Sequence, residues 1–135
     1  MNENEVKVFT VEEANELTPV LTELIHELHA KRDEVADTEV QADAVELIAG
    51  SAAGGAPKEE VAHLVDKHKR LVVEFYEVVD EIHSFGCFLK DADLGLIDFY
   101  GVVDGRMVYL CWRLGEAEVG HWHEISQGYS SRQPL

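Results

Sequence analysis

Basic residues are scarce in this sequence. Only 11 Lys and Arg stand against 27 Asp and Glu, and the formal net charge is −16. A surface of that sign repels phosphate backbones and anionic lipid headgroups, so neither nucleic-acid binding nor membrane association is expected. It fits a solubility or high-salt adaptation, and a cation or a basic partner would suit it better than an anion. Mimicry of nucleic acid is a more distant alternative. No apolar run approaches the roughly 20 residues of a membrane helix. The start, MNENEVKVF, lacks a basic segment followed by an apolar one, so no signal peptide is expected. Cysteine occurs only at Cys87 and Cys111, too rarely for a disulfide framework. The expectation is a cytoplasmic protein with reduced thiols.

What is present is enough for one domain. The chain has 135 residues, of which 46% are hydrophobic and 28% charged, a globular balance. After a polar lead-in with an extended piece at residues 6–9, Thr10 and Glu13 form a capping-box pattern. Ala14, Leu17, Leu21, Leu24, Leu28 and Val35 then recur at alternating three and four residues, with Ile25 widening the stripe. This predicts a helix over about 11–49, kinked at Pro19 and either continuous or interrupted where the pattern weakens at Lys31 and Arg32. Residues 50–57 read as a loop, with Gly50 as a helix C-cap and Pro57 opening the next helix. Val61, Leu64, Val65, Leu71, Val72, Phe75, Val78, Val79 and Ile82 mark that second helix, to about Ser84. Two helices alone cannot cover both stripes. The remainder must come from C-terminal strands, from a second copy of the chain, or from both.

From Gly86 onward the period becomes two. Asp104-Gly105 suits a two-residue type I′ turn, and pairing Val103 with Arg106 sets a register. Ile97, Phe99, Val103, Val108, Leu110 and Trp112 then share an apolar face. Asp98, Tyr100, Tyr109, Cys111 and Arg113 share the other, with Asp98 opposite Cys111. A four-residue loop before Gly95 would set Cys87 opposite Asp98 and turn Phe88 to the apolar face. A short strand at 119–124 completes a predicted four-stranded antiparallel meander, followed by an irregular tail. The fold class expected is α+β: a helical hairpin over about 10–84 and a β-meander with tail over about 86–135.

Several constellations carry ligand chemistry. Glu23–His26, Glu60–His63 and Asp80–His83 have acid-x-x-His spacing, but heptad counting turns all of them away from the apolar seam, as solvated helix faces. His68 falls inside the second stripe, either as a core histidine bonded to a polar neighbour or as a pH-sensitive interface residue. His26-Glu-Leu-His29 is one residue short of the zinc-protease motif. Cys87, Asp98, Cys111 and His123 are zinc ligand types on the polar sheet face. Cys87 and Cys111 on alternate strands would lie roughly 9–10 Å apart, too far to share an ion easily or to form a disulfide. His123 joins this face in only one of two registers of the last strand. Otherwise the group is two small buried thiols and an aspartate bonding loop amides. His123, Glu124 and Arg132 are candidate catalytic residues for acid–base work on an anionic substrate, unless Arg132 pairs with Glu124 or Glu116 to pin the tail. Asp91, Asp93 and Asp98 offer oxygen ligands without the rest of a calcium loop.

The second half resembles an uncharacterised bacterial family, the domain of unknown function 2203 family. The residues that carry the resemblance are Gly86-Cys87, Lys90-Asp91, Gly95-Leu96, Asp98-Phe99, Val108 with Tyr-Leu-Cys-Trp112, Gly115-Glu116, Trp122-His123-Glu124, Gly128 and Arg132-Gln-Pro-Leu135. Phe9-Thr10, Glu13-Ala14-Asn15, Leu17 and Pro19 match at the N-terminus. The sequence departs at Tyr100, where proline is expected, and at His121, where an aromatic residue is expected, which makes His123 the better member of a shared site. The resemblance implies small bacterial cytoplasmic proteins with no established activity and brings no catalytic assignment. Two function classes stand at this point. One is a non-enzymatic binding or assembly module, homo-oligomeric through its helices. The other is a metal-dependent, hydrolase-like enzyme, with a divalent metal such as zinc as its cofactor.

Overall fold

Helix ends and periodicity set the first half of the molecule. The structure is a computed structural model that describes residues 6–51 and 58–135. Helix α1 spans Val11–Ser51 and helix α2 spans Lys58–Ser84, the two arms of the hairpin. The capping box opens α1: the Glu13 amide donates to Thr10 Oγ1 at 3.1 Å, and the Thr10 amide to Glu13 Oε1 at 3.0 Å. The helix continues through Pro19. The proline lacks the amide that would have reached the Asn15 carbonyl, and the Thr18 hydroxyl donates to that carbonyl instead, at 3.1 Å. Continuous helix is thus the alternative formed, and it reaches Ser51, so Gly50 lies inside the last turn instead of capping it. The rest of the expected loop, with Pro57, lies outside the described residues.

The chain forms two compact units. One is Glu27–Val78, whose described residues are all helical. In it Leu28, Leu64, Leu71 and Val78 are buried. Lys31 Nζ donates to Glu74 Oε2 at 2.8 Å. The Thr38 hydroxyl gives its proton to the Val35 carbonyl at 2.7 Å, so the His68 Nδ1 that lies 2.9 Å from it must be the donor of that bond. His68 therefore has the polar partner expected of it, but its side chain is half-buried and it is not a core histidine.

The other unit joins the residues up to His26 to Val79–Leu135 and holds the sheet. Strands β1 (Phe88–Asp91), β2 (Leu96–Val103), β3 (Arg106–Arg113), β4 (His121–His123) and β5 (Gln133–Pro134) form one antiparallel sheet in chain order. The β2–β3 register is the expected one, with Val103 on Arg106 and Asp98 on Cys111. Asp104 at φ 52° and Gly105 at φ 76° supply the two left-handed residues a type I′ turn requires. Ile97, Phe99, Val108, Leu110 and Trp112 are buried, as are Ala14, Leu21, Ile25 and Ile82 of the helices. The Phe9 amide donates to the Tyr100 carbonyl at 2.7 Å, and Phe9 meets Phe99 edge-on at 5.0 Å. These two contacts tie Phe9 to β2 without a strand.

Two expectations are corrected here. Phe88, not Cys87, lies opposite Asp98, and a bulge falls between Leu89 and Asp91. Asp91 Oδ1 accepts the Leu94 amide at 2.9 Å, and Gly95 takes φ 67°, so the glycine belongs to the turn and the loop slides one residue along. A side chain at Gly95 would also strike Leu114 Cβ at 2.6 Å. Phe88 accordingly meets the polar-face aromatics edge-on, 5.2 Å from Tyr100 and 6.1 Å from Tyr109. The second correction is in the tail, which is not wholly irregular. After a 3-10 turn at Tyr129–Ser131, Gln133 and Pro134 pair with Trp122 and His121, making the meander five-stranded. The strand expected at 119–124 shrinks to His121–His123, because Val119 is turned to α1, where its amide donates to Asn15 Oδ1 at 2.6 Å.

Candidate functional site

The middle of the sheet brings three side chains together. Asp98 on β2, Cys111 on β3 and His123 on β4 are 3%, 1% and 2% exposed. Their ligating atoms all lie within 4.8 Å of one another. Antiparallel pairing produces this: Asp98 faces Cys111, and Tyr109 faces His123, which sets His123 diagonal to Cys111 on the same side. Of the two registers considered for the last strand, β4 takes the one that turns His123 to this face.

Hydrogen bonds define the protonation pattern. His123 Nδ1 lies 2.8 Å from the Glu124 carbonyl, which can only accept, so Nδ1 carries a proton. His123 Nε2 lies 3.2 and 3.1 Å from the two Asp98 oxygens. A bond there needs one further proton, held by the ring or by the carboxyl. Burial pushes the Asp98 carboxyl above its ordinary range, and the adjacent His123 opposes this only in part. Burial, reinforced by Asp98, pushes the Cys111 thiol up to about 12, although Arg132 pulls the other way. Cys111 is therefore a neutral thiol at physiological pH.

Of the other candidates, the Arg132 guanidinium reaches Cys111, while Cys87 and the Glu124 carboxylate are engaged elsewhere. Both cysteines are free thiols, and Cys87 donates its thiol to the Ile82 carbonyl at 3.3 Å. Burial raises that thiol to about 11, an inert core group. Glu124 gives His123 its carbonyl alone, since its carboxylate pairs with Arg106 at 2.6 Å. Arg132 makes a two-pronged bridge to Glu116, 2.9 Å on each arm, and lies over the Tyr129 ring at 4.3 Å. The Glu124 carboxylate thus does not join His123 and Arg132 beside Cys111, and Glu116 is the residue that pins the tail. His121 shares the face but turns to Glu116, 3.6 Å away, and its Nδ1 has no hydrogen bond. Glu23, His26, Glu60, His63, Asp80 and His83 are exposed, as expected. Asp91 serves its own turn.

A cavity of about 120 Å³ opens beside the cluster, lined by Lys90, Tyr109, Gln127, Gly128 and Tyr129 together with the three residues. Sequence reasoning put Tyr109 on this face but missed Lys90 and the tail residues, whose placement depends on the bulge and on the Arg132 bridge. The i,i+3 spacing of Tyr129 and Arg132 was the available signal. A larger groove of about 430 Å³ in Glu27–Val78 is lined by side chains of both charge signs, including Glu34, Asp37, Lys67 and Arg70, with no convergent ligand atoms.

Residues 7–135 match the family described as Uncharacterized conserved protein (DUF2203). The chain belongs to that family. No curated protein and no solved structure matches it. The family carries no activity by description, so chemistry must be argued from the side chains themselves. No helix among the described residues is long and apolar enough to cross a membrane.

Proposed function

We propose that this chain is a non-enzymatic binding and assembly module that self-associates through its helices. One observation carries the reading: in Glu27–Val78 the apolar stripe of α2 is wider than its buried part. At about 100° per residue, Leu64, Leu71 and Val78 fall on one line and are buried. Val61, His68, Val72 and Phe75 fall on one flank of that line and are half-buried. Beyond them Val65 and Tyr76 are 41% and 59% exposed.

A second copy is the occupant that fits. It supplies the same stripe, so a two-fold pairing makes a four-helix arrangement with like surfaces in contact. Roughly 20 residues at about 1.5 Å each, across two helices about 9 Å apart, give a face on the order of 600 Å² per protomer. That approaches the roughly 800 Å² per partner of a standard interface. Two chains of −16 repel, so association should strengthen as salt screens them. Sedimentation velocity at micromolar protein should give a dimer at 1 M salt, reduced by Val65→Glu. A monomer at both low and high salt sinks the reading.

A second reading, a hydrolase-like metal enzyme on the sheet, is favoured by the Asp98, Cys111 and His123 cluster beside its cavity. Against it, the carboxylate of Glu124 and the guanidinium of Arg132 are already engaged in ion pairs. A space of about 120 Å³ is also well below the roughly 300–1,000 Å³ of a typical ligand pocket. Turnover of small ester or phosphoester substrates by metal-loaded protein, abolished in Cys111→Ser, would favour this reading over the first.

A further inference from the structure

We infer that Asp98, Cys111 and His123 form a three-ligand site for a divalent transition metal, best matched by zinc. The inference is independent of the assembly reading and supplies the structural premise of the enzymatic one.

The donor set selects the ion. A carboxylate oxygen, an imidazole nitrogen and a thiolate suit zinc or a similar borderline ion. Calcium and magnesium want oxygen ligands throughout and gain nothing from a thiolate. The spacing fits as well. Bonds of about 2.0–2.3 Å in a tetrahedron put neighbouring ligand atoms about 3.3–3.6 Å apart. The Asp98 and His123 atoms are already 3.1–3.2 Å apart, and no pair in the cluster exceeds 4.8 Å. The widest separation has to shorten by about 1 Å to reach that spacing.

The surroundings are those of a ligand set. The Glu124 carbonyl holds Nδ1–H, which aims Nε2 at the cluster and leaves it as the metal-binding nitrogen. All three residues sit on adjacent hydrogen-bonded strands, so the backbone that carries them is held by the ladder. On binding, the ion takes the place of two protons, one from the Cys111 thiol and one shared between Asp98 and His123. The site then loses two protons as it gains two positive charges. Three protein ligands leave a fourth position, which the cavity lined by Lys90, Tyr109 and Tyr129 would fill with water or a small anion.

Cys87 supplies an internal control. It is as buried as Cys111 but bonds to Ile82 and is not part of the cluster. The experiment loads the chelator-stripped full chain with zinc, and separately with cobalt(II) as a spectroscopic probe. One ion per chain should bind, with a thiolate-to-cobalt charge-transfer band. Cys87→Ser should keep both stoichiometry and band. Cys111→Ser should lose the band, and Cys111→Ser and His123→Ala should each weaken binding at least tenfold. The near-isosteric Asp98→Asn serves as a further variant should either of these fail to fold. A folded wild-type chain that takes up neither ion overturns the inference, as does binding without a thiolate band or binding unchanged in folded Cys111→Ser. Stoichiometric, Cys111-dependent metal with no turnover leaves the inference standing while removing the enzymatic reading.

Discussion

In the sheet-bearing unit Trp112, Phe99, Ile97 and Leu110 are fully buried, whereas along α2 in Glu27–Val78 Val61, Val72 and Phe75 keep part of their surface in water and Val65, Val73 and Tyr76 are exposed. Both regions contain amphipathic elements. The difference is one of layers. A sheet face and a helix stripe close over each other, while two helices side by side leave flanks with no covering layer. Stability is therefore concentrated in the sheet unit, and any need for a partner is concentrated in the hairpin. The same contrast separates the chemistry: the convergent, buried metal-ligand types lie on the sheet, whereas the acid-x-x-His pairs of the helices are exposed.

The sharpest way to break this comparison is to empty each region in turn. Trp112→Ala should cost about 3–5 kcal/mol in urea unfolding, enough to threaten folding altogether. Phe75→Ala, half-buried in the hairpin, should cost roughly 1–2 kcal/mol, since part of that ring already meets water. Equal losses at the two positions would contradict the layered account. The tail bridge comes next. Arg132→Ala should cost about 1–2 kcal/mol at neutral pH, because its charge-assisted bonds to Glu116 are only partly exposed. Burial pushes the Glu116 carboxyl up, but the bonds from Arg132 and the Arg113 amide outweigh it and hold the group below the ordinary carboxylate range, with His121 adding its pull. Stability from this group is present above the ordinary carboxylate pKa and is lost as pH falls through the lower, folded value. Unfolding midpoints measured from pH 7 down to about pH 3 should show that acid loss in the wild type and a flatter profile in the variant. Thr10→Ala removes the hydroxyl that caps α1 and should cost about 1 kcal/mol. Smallest of all, Val65→Ser should move monomer stability by less than about 0.5 kcal/mol, being a surface change. A large effect at Val65 that scales with protein concentration would sharpen the comparison in favour of a paired hairpin.

Much of the fold could be read from single residues and short spacings. The Thr10–Glu13 cap, the two helical stripes, the Asp104-Gly105 turn and the β2–β3 register are each decided within a few residues of chain. The candidate site was legible in part. Asp98 opposite Cys111 follows from the turn, but His123 had two registers open to it, and Cys87 was expected in a row it does not join. Counting a four-residue loop ahead of Gly95 missed the bulge, because the loop length alone does not say which residue takes the left-handed conformation. The Arg132 bridge had two acidic partners available in sequence, Glu116 and Glu124, and Arg106 takes the second.

By itself, then, the order of residues determined what short-range physics can decide: where helices begin, which residues share a face, and where the chain reverses. These depend on backbone sterics and on hydrogen bonds to near neighbours, whose energies do not wait for the rest of the chain. Tertiary structure alone decided that β5 returns the tail to β4, that His123 turns toward Asp98 and Cys111, and that Phe88 takes the place expected of Cys87. In each of those cases two arrangements were locally equivalent. The choice fell to whichever buried the apolar face and satisfied the polar atoms together.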